Sequence, residues 1–293
     1  MMHAITLFVF SMLLLAGSKP PAQGEKRYHL MPLQEIDQDL RRVAQSPLSA
    51  AEKMTYFSQR FLGAPYLLVC EGEGENGLYE TEPLLNLRQI NCMTYCEIVL
   101  AMTLSSDYEE MFNVLQHIRY RDGYISMATR NHYTMVDWLP ANRWCLDDIT
   151  AQVGGADLVP ATRTIRHGKF FHGKGIDDLP AVLPDRTVTL SYIALDKLGA
   201  HKASLRSGDI VSLIQDLPEI YSAHMLLIVE KKDGLYFRHA SMSAGKVVDE
   251  KFEAYIAGLQ KKPRYQGMCF MRVKEQVEWI LPDARRGKNP LIR

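Results

Sequence analysis

Beyond Val188 the chain turns to short apolar runs of strand texture, TVTLSYIAL, GDIVSLIQ, AHMLLIVE, GLYFRHASM and GMCFMRV, whereas the residues before 105 carry apolar side chains at helical spacing. Helices first and an antiparallel sheet afterwards make an α+β domain. The spacing predicts helices over 33–45, 48–61 and 92–104, and a later one near 249–260 among the strands. Between them, residues 105–185 mix short helical pieces with aromatic and His-rich sequence of no clean period. Such a stretch reads as an insertion that lines or covers something. With no internal repeat and no second boundary, residues 19–293 are expected to form one domain.

A hydrophobic content of 47% in 293 residues is ample for a real core. Lys plus Arg and Asp plus Glu balance at 34 each, so the summed charge leaves no footprint for nucleic acid. The N-terminus has an apolar run from Ala4 to Ala16 followed by Ala16, Gly17 and Ser18 and then polar, Pro-rich sequence. It reads as a signal peptide over residues 1–18, because a run this short falls below the roughly 20 residues a spanning helix needs. A serine stands where a lipid-bearing cysteine would be needed. The mature protein is therefore expected in the periplasm or outside the cell, without a stable membrane anchor. The five cysteines, Cys70, Cys92, Cys96, Cys145 and Cys269, would then meet an oxidising compartment with at least one unpaired within the chain. Spacing does not decide between disulfides and buried thiols.

The stretch QINCMTYCEIVLAM places Cys92 directly after Asn91, at the start of a strongly apolar helix. Asn91 suits the N-cap, and a thiol in the first turn feels the positive end of the helix dipole. Cys96 falls on the inner face and reads as core. A nucleophilic thiol needs a base from elsewhere in the chain. His224 and His239 stand on the two arms of a predicted hairpin, where one strand can present the base and the other its orienting partner. A tight turn at Asp233-Gly234 would set His239 opposite Ile228, four residues from His224 and roughly 13 Å away, too far for a hydrogen bond. The connection must then be longer and bulged, or another residue orients His224.

With these segments in order, the chain resembles the NlpC/P60 papain-like cell-wall hydrolases, and specifically their N-acetylmuramoyl-L-alanine amidase-like (DUF1460-type) branch. The likeness runs from about Phe61 to the C-terminus through FLGAPYLL, INCMTYCEIVLA, IRYRDG, TRNHYTMVDWLPAN, SGDIVSLI, SAHMLLIVE and LYFRHAS. It implies a papain-like (NlpC-type) fold, Cys92 as nucleophile, His224 as general base and acid, His239 as the polar third member, and Tyr66 lining the cleft. The implied partners are peptidoglycan or muropeptide fragments, cut at the amide joining the N-acetylmuramoyl lactyl group to L-alanine. The chain departs from the branch at Asn91, where Asp is usual, at the bulkier Met93, and in lacking a His-Val-Gly after Ala223.

In the middle segment Arg130, His132 and Tyr133 are candidate contacts for a carboxylate-bearing stem peptide and a sugar ring. Arg119 reads as charged surface and Trp138 as a core anchor. His167 and His172 lie in a Gly-rich stretch without the ligand spacing of a metal loop, and read as surface. Neither a metal nor a cofactor is expected. Two rival functions remain open: an endopeptidase cutting γ-D-glutamyl-diamino acid bonds, and a silent protein that binds cell-wall fragments.

Overall fold

The computed structural model describes residues 26–180 and 182–277, and the expected signal peptide over 1–18 lies outside them. Four helices come first: α1 (Leu33–Ala44), α2 (Ala50–Arg60), α3 (Cys92–Thr103) and α4 (Tyr108–Arg119). Ser49, Asn91 and Asp107 each accept from a first-turn N–H that the helix itself leaves free, which starts α2, α3 and α4. A π-helical turn (Thr134–Trp138) then runs into α5 (Leu139–Ala141), β1 (Leu146–Asp148), α6 (Thr150–Gly154), β2 (Leu158–Ile165) and α7 (His167–Gly173). The rest is β3 (Arg186–Ala194), β4 (Ile210–Leu217), β5 (Ile220–Lys231), β6 (Gly234–Ser241), β7 (Lys246–Lys251), α8 (Phe252–Gln260) and β8 (Tyr265–Val273).

The strands form one antiparallel sheet in the order β2-β3-β8-β4-β5-β6-β7, with β1 paired to β8. Both faces are buried. Ile210, Ile214, Met225, Leu227 and Met271 pack with Tyr95, Ile98 and Val99 of α3, whereas Val211, Leu213, Leu226, Ile228, Phe237 and Phe270 pack with Phe252, Ile256 and Leu259 of α8. A sheet covered on both sides needs apolar residues at successive positions, which is why β4 and β5 read as continuous apolar runs. Helix α3 is apolar all round for the same reason: every residue from Thr94 to Thr103 is buried.

Three strands escaped the sequence pattern, the first being the three-residue β1 inside the expected insertion. β2 carries Pro160 and polar residues, and it tolerates them as the terminal strand of the sheet order, paired to β3 alone in the ladder. β7 takes residues assigned to the later helix, which begins at Phe252. Its outer side is covered by the chain before Leu67: Gly63 N–H donates to Val247 O, Val247 N–H to Ala64 O and Tyr66 N–H to Gly245 O, each at 2.9 Å. That covering fixes the backbone of Tyr66 beside the β6–β7 turn.

Trp138 is a core residue as expected, but Arg119 is not at the surface. Its guanidinium lies between the Glu71 and Glu97 carboxylates, with Glu97 at 2.9 Å and the Leu84 carbonyl also accepting at 2.9 Å. Sequence alone hides this, because the two carboxylates arrive from a loop and from α3. Removing either carboxylate would leave a buried charge short of compensation, at a cost of about 3–5 kcal/mol. His167 is likewise buried rather than in a surface loop, because it opens α7 and its Nε2 meets Asp137 at 2.8 Å. His172 is exposed against Asp177.

Candidate active site

Cys92 is the first residue of α3. The Asn91 side-chain oxygen accepts from Met93 N–H at 3.0 Å and Thr94 N–H at 2.9 Å, and Thr94 Oγ1 returns the contact by accepting from Asn91 N–H at 3.0 Å. This reciprocal cap contributes about 1 kcal/mol and fixes the angle at which the thiol leaves the helix. The Asn91 amide also donates to Leu68 O at 3.0 Å, a contact an ionised aspartate would turn into repulsion. The departure from Asp therefore ties the helix tip to the 67–70 segment. Cys70 lies on the other side of this cap, with its sulfur 3.4 Å from Thr94 Oγ1. All five cysteines are free thiols, and Cys96 is buried in the core.

The opposing wall is β5, and two irregularities shape it. Leu213 pairs with His224 but Ile214 with Ser222, so Ala223 is an extra residue bulged out of the β4–β5 ladder just before the histidine. A bulge re-aims the side chain beside it. On the other side the β5–β6 ladder stops at Leu227 and Arg238. Ile228 exchanges backbone bonds with Gly208 and Asp209 on the β4 side, so by alternation the Met225 N–H points to the side that β6 has left. It is directed at the Cys92 sulfur.

The hairpin register resolves the distance problem raised by the sequence. Lys231 pairs with Gly234, so the two-residue loop is Lys232-Asp233 and Gly234, at φ 125°, takes the conformation a side chain would resist. Extending this register sets His239 opposite Leu226, two residues from His224 instead of four. Diagonal neighbours at that offset are about 7–8 Å apart at the backbone, within reach of two imidazoles. His224 Nε2 and His239 Nδ1 are 2.7 Å apart with their rings nearly perpendicular. His239 Nε2 in turn lies 3.0 Å from a carboxylate oxygen of Glu250 on β7, and Tyr255 of α8 sets its ring edge-on to His239 at 5.3 Å.

Glu250 was not anticipated. Val248 faces His239 across β6 and β7, so Glu250 is the diagonal neighbour two residues on. The signal becomes readable only once residues 246–251 are recognised as a strand.

Burial dominates the electrostatics here. It pushes the Cys92 thiol above its ordinary range, although N–H groups of Met225, Met93 and Cys92 itself pull the other way. Burial, with His239 adding to it, pushes His224 down to about 3, and burial also lowers His239. These directions favour a neutral thiol beside neutral imidazoles. Tyr66 is half-buried, and burial and the neighbouring Cys92 and Cys70 raise its hydroxyl, so it remains a proton donor at neutral pH.

The middle-segment candidates occupy a different wall. His132 Nε2 lies 2.9 Å from Met127 O, its ring sits against Phe170 and Phe171, and burial pushes it down to about 4. Tyr133 is buried with its ring edge-on to His167. His132, Tyr133, Thr134, Met135 and Val136 bound a recess of about 40 Å³ with Ile220, Tyr221 and Ser222 of β5, the last only two residues from His224. Arg130 is paired with Glu80 and also donates to Glu71 O at 3.3 Å. Its charge thus has an internal partner.

Residues 56–263 match the AmiA-like family model, described as N-acetylmuramoyl-L-alanine amidase-like. Among solved structures, a Legionella pneumophila str. Philadelphia 1 protein of the DUF1460 family model superposes with a TM-score of 0.75 at 23% identity, covering 83% of this chain and 96% of that one. An N-acetylmuramoyl-L-alanine amidase from Bacteroides uniformis ATCC 8492 superposes with a TM-score of 0.63 at 24% identity, covering 77% of this chain and 99% of its own. Both share the fold. No curated protein matches the chain significantly.

Proposed function

The chain belongs to the AmiA-like, N-acetylmuramoyl-L-alanine amidase-like family, and from that premise we propose that it is an exported cysteine amidase cutting the N-acetylmuramoyl-L-alanine bond of peptidoglycan or muropeptide fragments. The observation that carries this reading is the convergence at the α3 tip: a capped Cys92 facing the Met225 N–H, with His224 as the preceding residue and His239 bonded to it. In this reading the arrangement is papain-like, of the NlpC/P60 kind, with Cys92 on a helix tip and its histidine on an adjoining strand.

The reaction follows from the neutral pair. As the Cys92 sulfur attacks the lactyl carbonyl carbon, the thiol proton passes to His224 Nδ1, and the C=O electron pair moves onto oxygen. The Cys92 N–H and the Tyr66 hydroxyl are the donors proposed for that oxyanion. Collapse breaks the C–N bond, and the imidazolium gives its proton to the departing amine of L-alanine. Water, deprotonated by the same imidazole, then releases the muramoyl carboxylate from sulfur. His239 orients His224, while His132 and Tyr133 form the wall that seats the substrate.

Export rests on the Ala4–Ala16 run. No helix among the described residues is long and apolar enough to cross a membrane. The decisive experiment is mass spectrometry of products from a defined N-acetylmuramoyl-tetrapeptide. The expected products are N-acetylmuramic acid and an intact tetrapeptide with a free L-alanine amine. A cut at the γ-D-glutamyl bond would make the protein an endopeptidase, and binding without any product would make it a silent receptor.

A further inference from the structure

We propose that Glu250 is a positioning residue that selects, through His239, which nitrogen of His224 is basic. This rests on the reading of Cys92 and His224 as the reacting pair. A carboxylate accepts hydrogen bonds and donates none. The 3.0 Å contact with Glu250 therefore requires the proton of neutral His239 to sit on Nε2. His239 Nδ1 is then a lone pair, and its 2.7 Å contact with His224 Nε2 requires that nitrogen to carry the proton of His224. The remaining nitrogen of His224, Nδ1, is left as the lone pair, ready to take the Cys92 proton. One acceptor at the outer end of the chain fixes the tautomers of both rings.

Without that acceptor the two imidazoles have two self-consistent arrangements. In the other one, His239 Nδ1–H donates to His224 Nε2, which puts the His224 proton on Nδ1, where it faces the reaction as a donor and cannot accept from the thiol. Glu250 removes this arrangement. The other ionisable groups around the relay do not duplicate its role. Asp249 points to Arg238 and Lys231, with Arg238 Nε at 2.7 Å and Lys231 Nζ at 2.8 Å, and Tyr255 meets His239 ring to ring. Glu250 is also 43% exposed, so its replacement removes little packing.

The test is Glu250→Gln, which keeps the size of the side chain but lets it donate as well as accept. Histidine ring ¹⁵N NMR on the full chain should show His224 and His239 each protonated on Nε2 in the wild type. In the variant both signals should shift toward a tautomer mixture. With muropeptide substrate, kcat should fall about 10-fold or more while KM stays within about twofold, and Glu250→Asp should recover part of the loss. Unchanged tautomers in Glu250→Gln would overturn the proposal, as would shifted tautomers with an unchanged kcat. A wild-type protein that shows the expected tautomers but never turns over muropeptide would sink the hydrolase reading instead, leaving the tautomer assignment to be judged on the NMR alone.

Discussion

Two buried lines of hydrogen bonds from histidine to carboxylate do different work in this chain. His224 connects through His239 to the half-exposed Glu250, and the residue after it turns its N–H to a thiol. His167 meets Asp137 at 2.8 Å with both side chains 3% exposed, and Asp137 also takes the Tyr133 N–H and the Arg186 guanidinium. The second cluster clasps the π-helical turn to α7 and β3. Its other ring nitrogen, Nδ1, is buried and has no hydrogen-bond partner among the described residues. An imidazole beside a carboxylate is thus a clasp or a relay according to what its other nitrogen meets.

The comparison is sharpened most by removing the thiol. Cys92→Ser should lower kcat/KM by about 10³-fold or more, since oxygen is far the weaker nucleophile, while the melting temperature stays within about 2 °C because the volume hardly changes. Retained turnover in that variant would end the relay reading. Cys96→Ser should do the reverse, lowering stability with little change in kcat per folded molecule.

The two histidines should then separate in opposite directions. His224→Ala is expected to cost about 10²–10³-fold in kcat with the fold retained. His167→Ala should instead lower unfolding free energy by about 2–4 kcal/mol, because it leaves the Asp137 carboxylate short of a partner in a buried site. Urea titrations and kinetics on both variants check this. If His167→Ala abolished turnover at unchanged stability, the clasp would have to be counted as part of the chemistry.

Acid should expose the buried relay. The folded pKa of His224 is depressed to about 3 and that of His132 to about 4. Between those values and the ordinary value near 6.5, the unfolded chain binds protons that the folded chain does not. Stability is therefore full above about pH 6.5 and lost as pH falls through the window, by an amount on the order of a few kcal/mol. Urea midpoints measured from pH 7 to pH 4 should fall steadily in the wild type and less steeply in His224→Gln. Equal slopes would show that these imidazoles are protonated in the folded protein.

How far this was legible varies by element. The capped helix at Cys92, the core role of Cys96 and the late strands follow from local pattern, since a cap and an apolar run act within a few residues. The His224–His239 contact was masked by a hairpin register wrong by a single loop position, and one such step moves a cross-strand partner by two residues. Glu250 and β2 were hidden because polar edge strands carry no apolar alternation. The Glu71–Arg119–Glu97 cluster and the Asp137–His167 clasp join residues far apart in sequence, where no periodicity speaks.

The smallest effect expected falls on Arg130, the residue whose charge first suggested a contact with a stem carboxylate. Its guanidinium is held by Glu80, with both side chains less than one-fifth exposed, and Lys174 reaches the same carboxylate at 3.2 Å. Burial pushes the Glu80 carboxyl up, but Arg130 and then Lys174 hold it below the ordinary carboxylate range. A second carboxylate from substrate would have to compete with a neighbour already in place. Arg130→Ala should then leave kcat/KM within about threefold, below ~1 kcal/mol, while lowering stability by about 1–2 kcal/mol as Glu80 loses a partly buried partner. A loss of 10-fold or more in kcat/KM at unchanged stability would return Arg130 to the binding wall. In that case Arg130 and the loop that carries Glu80 would act together on the substrate.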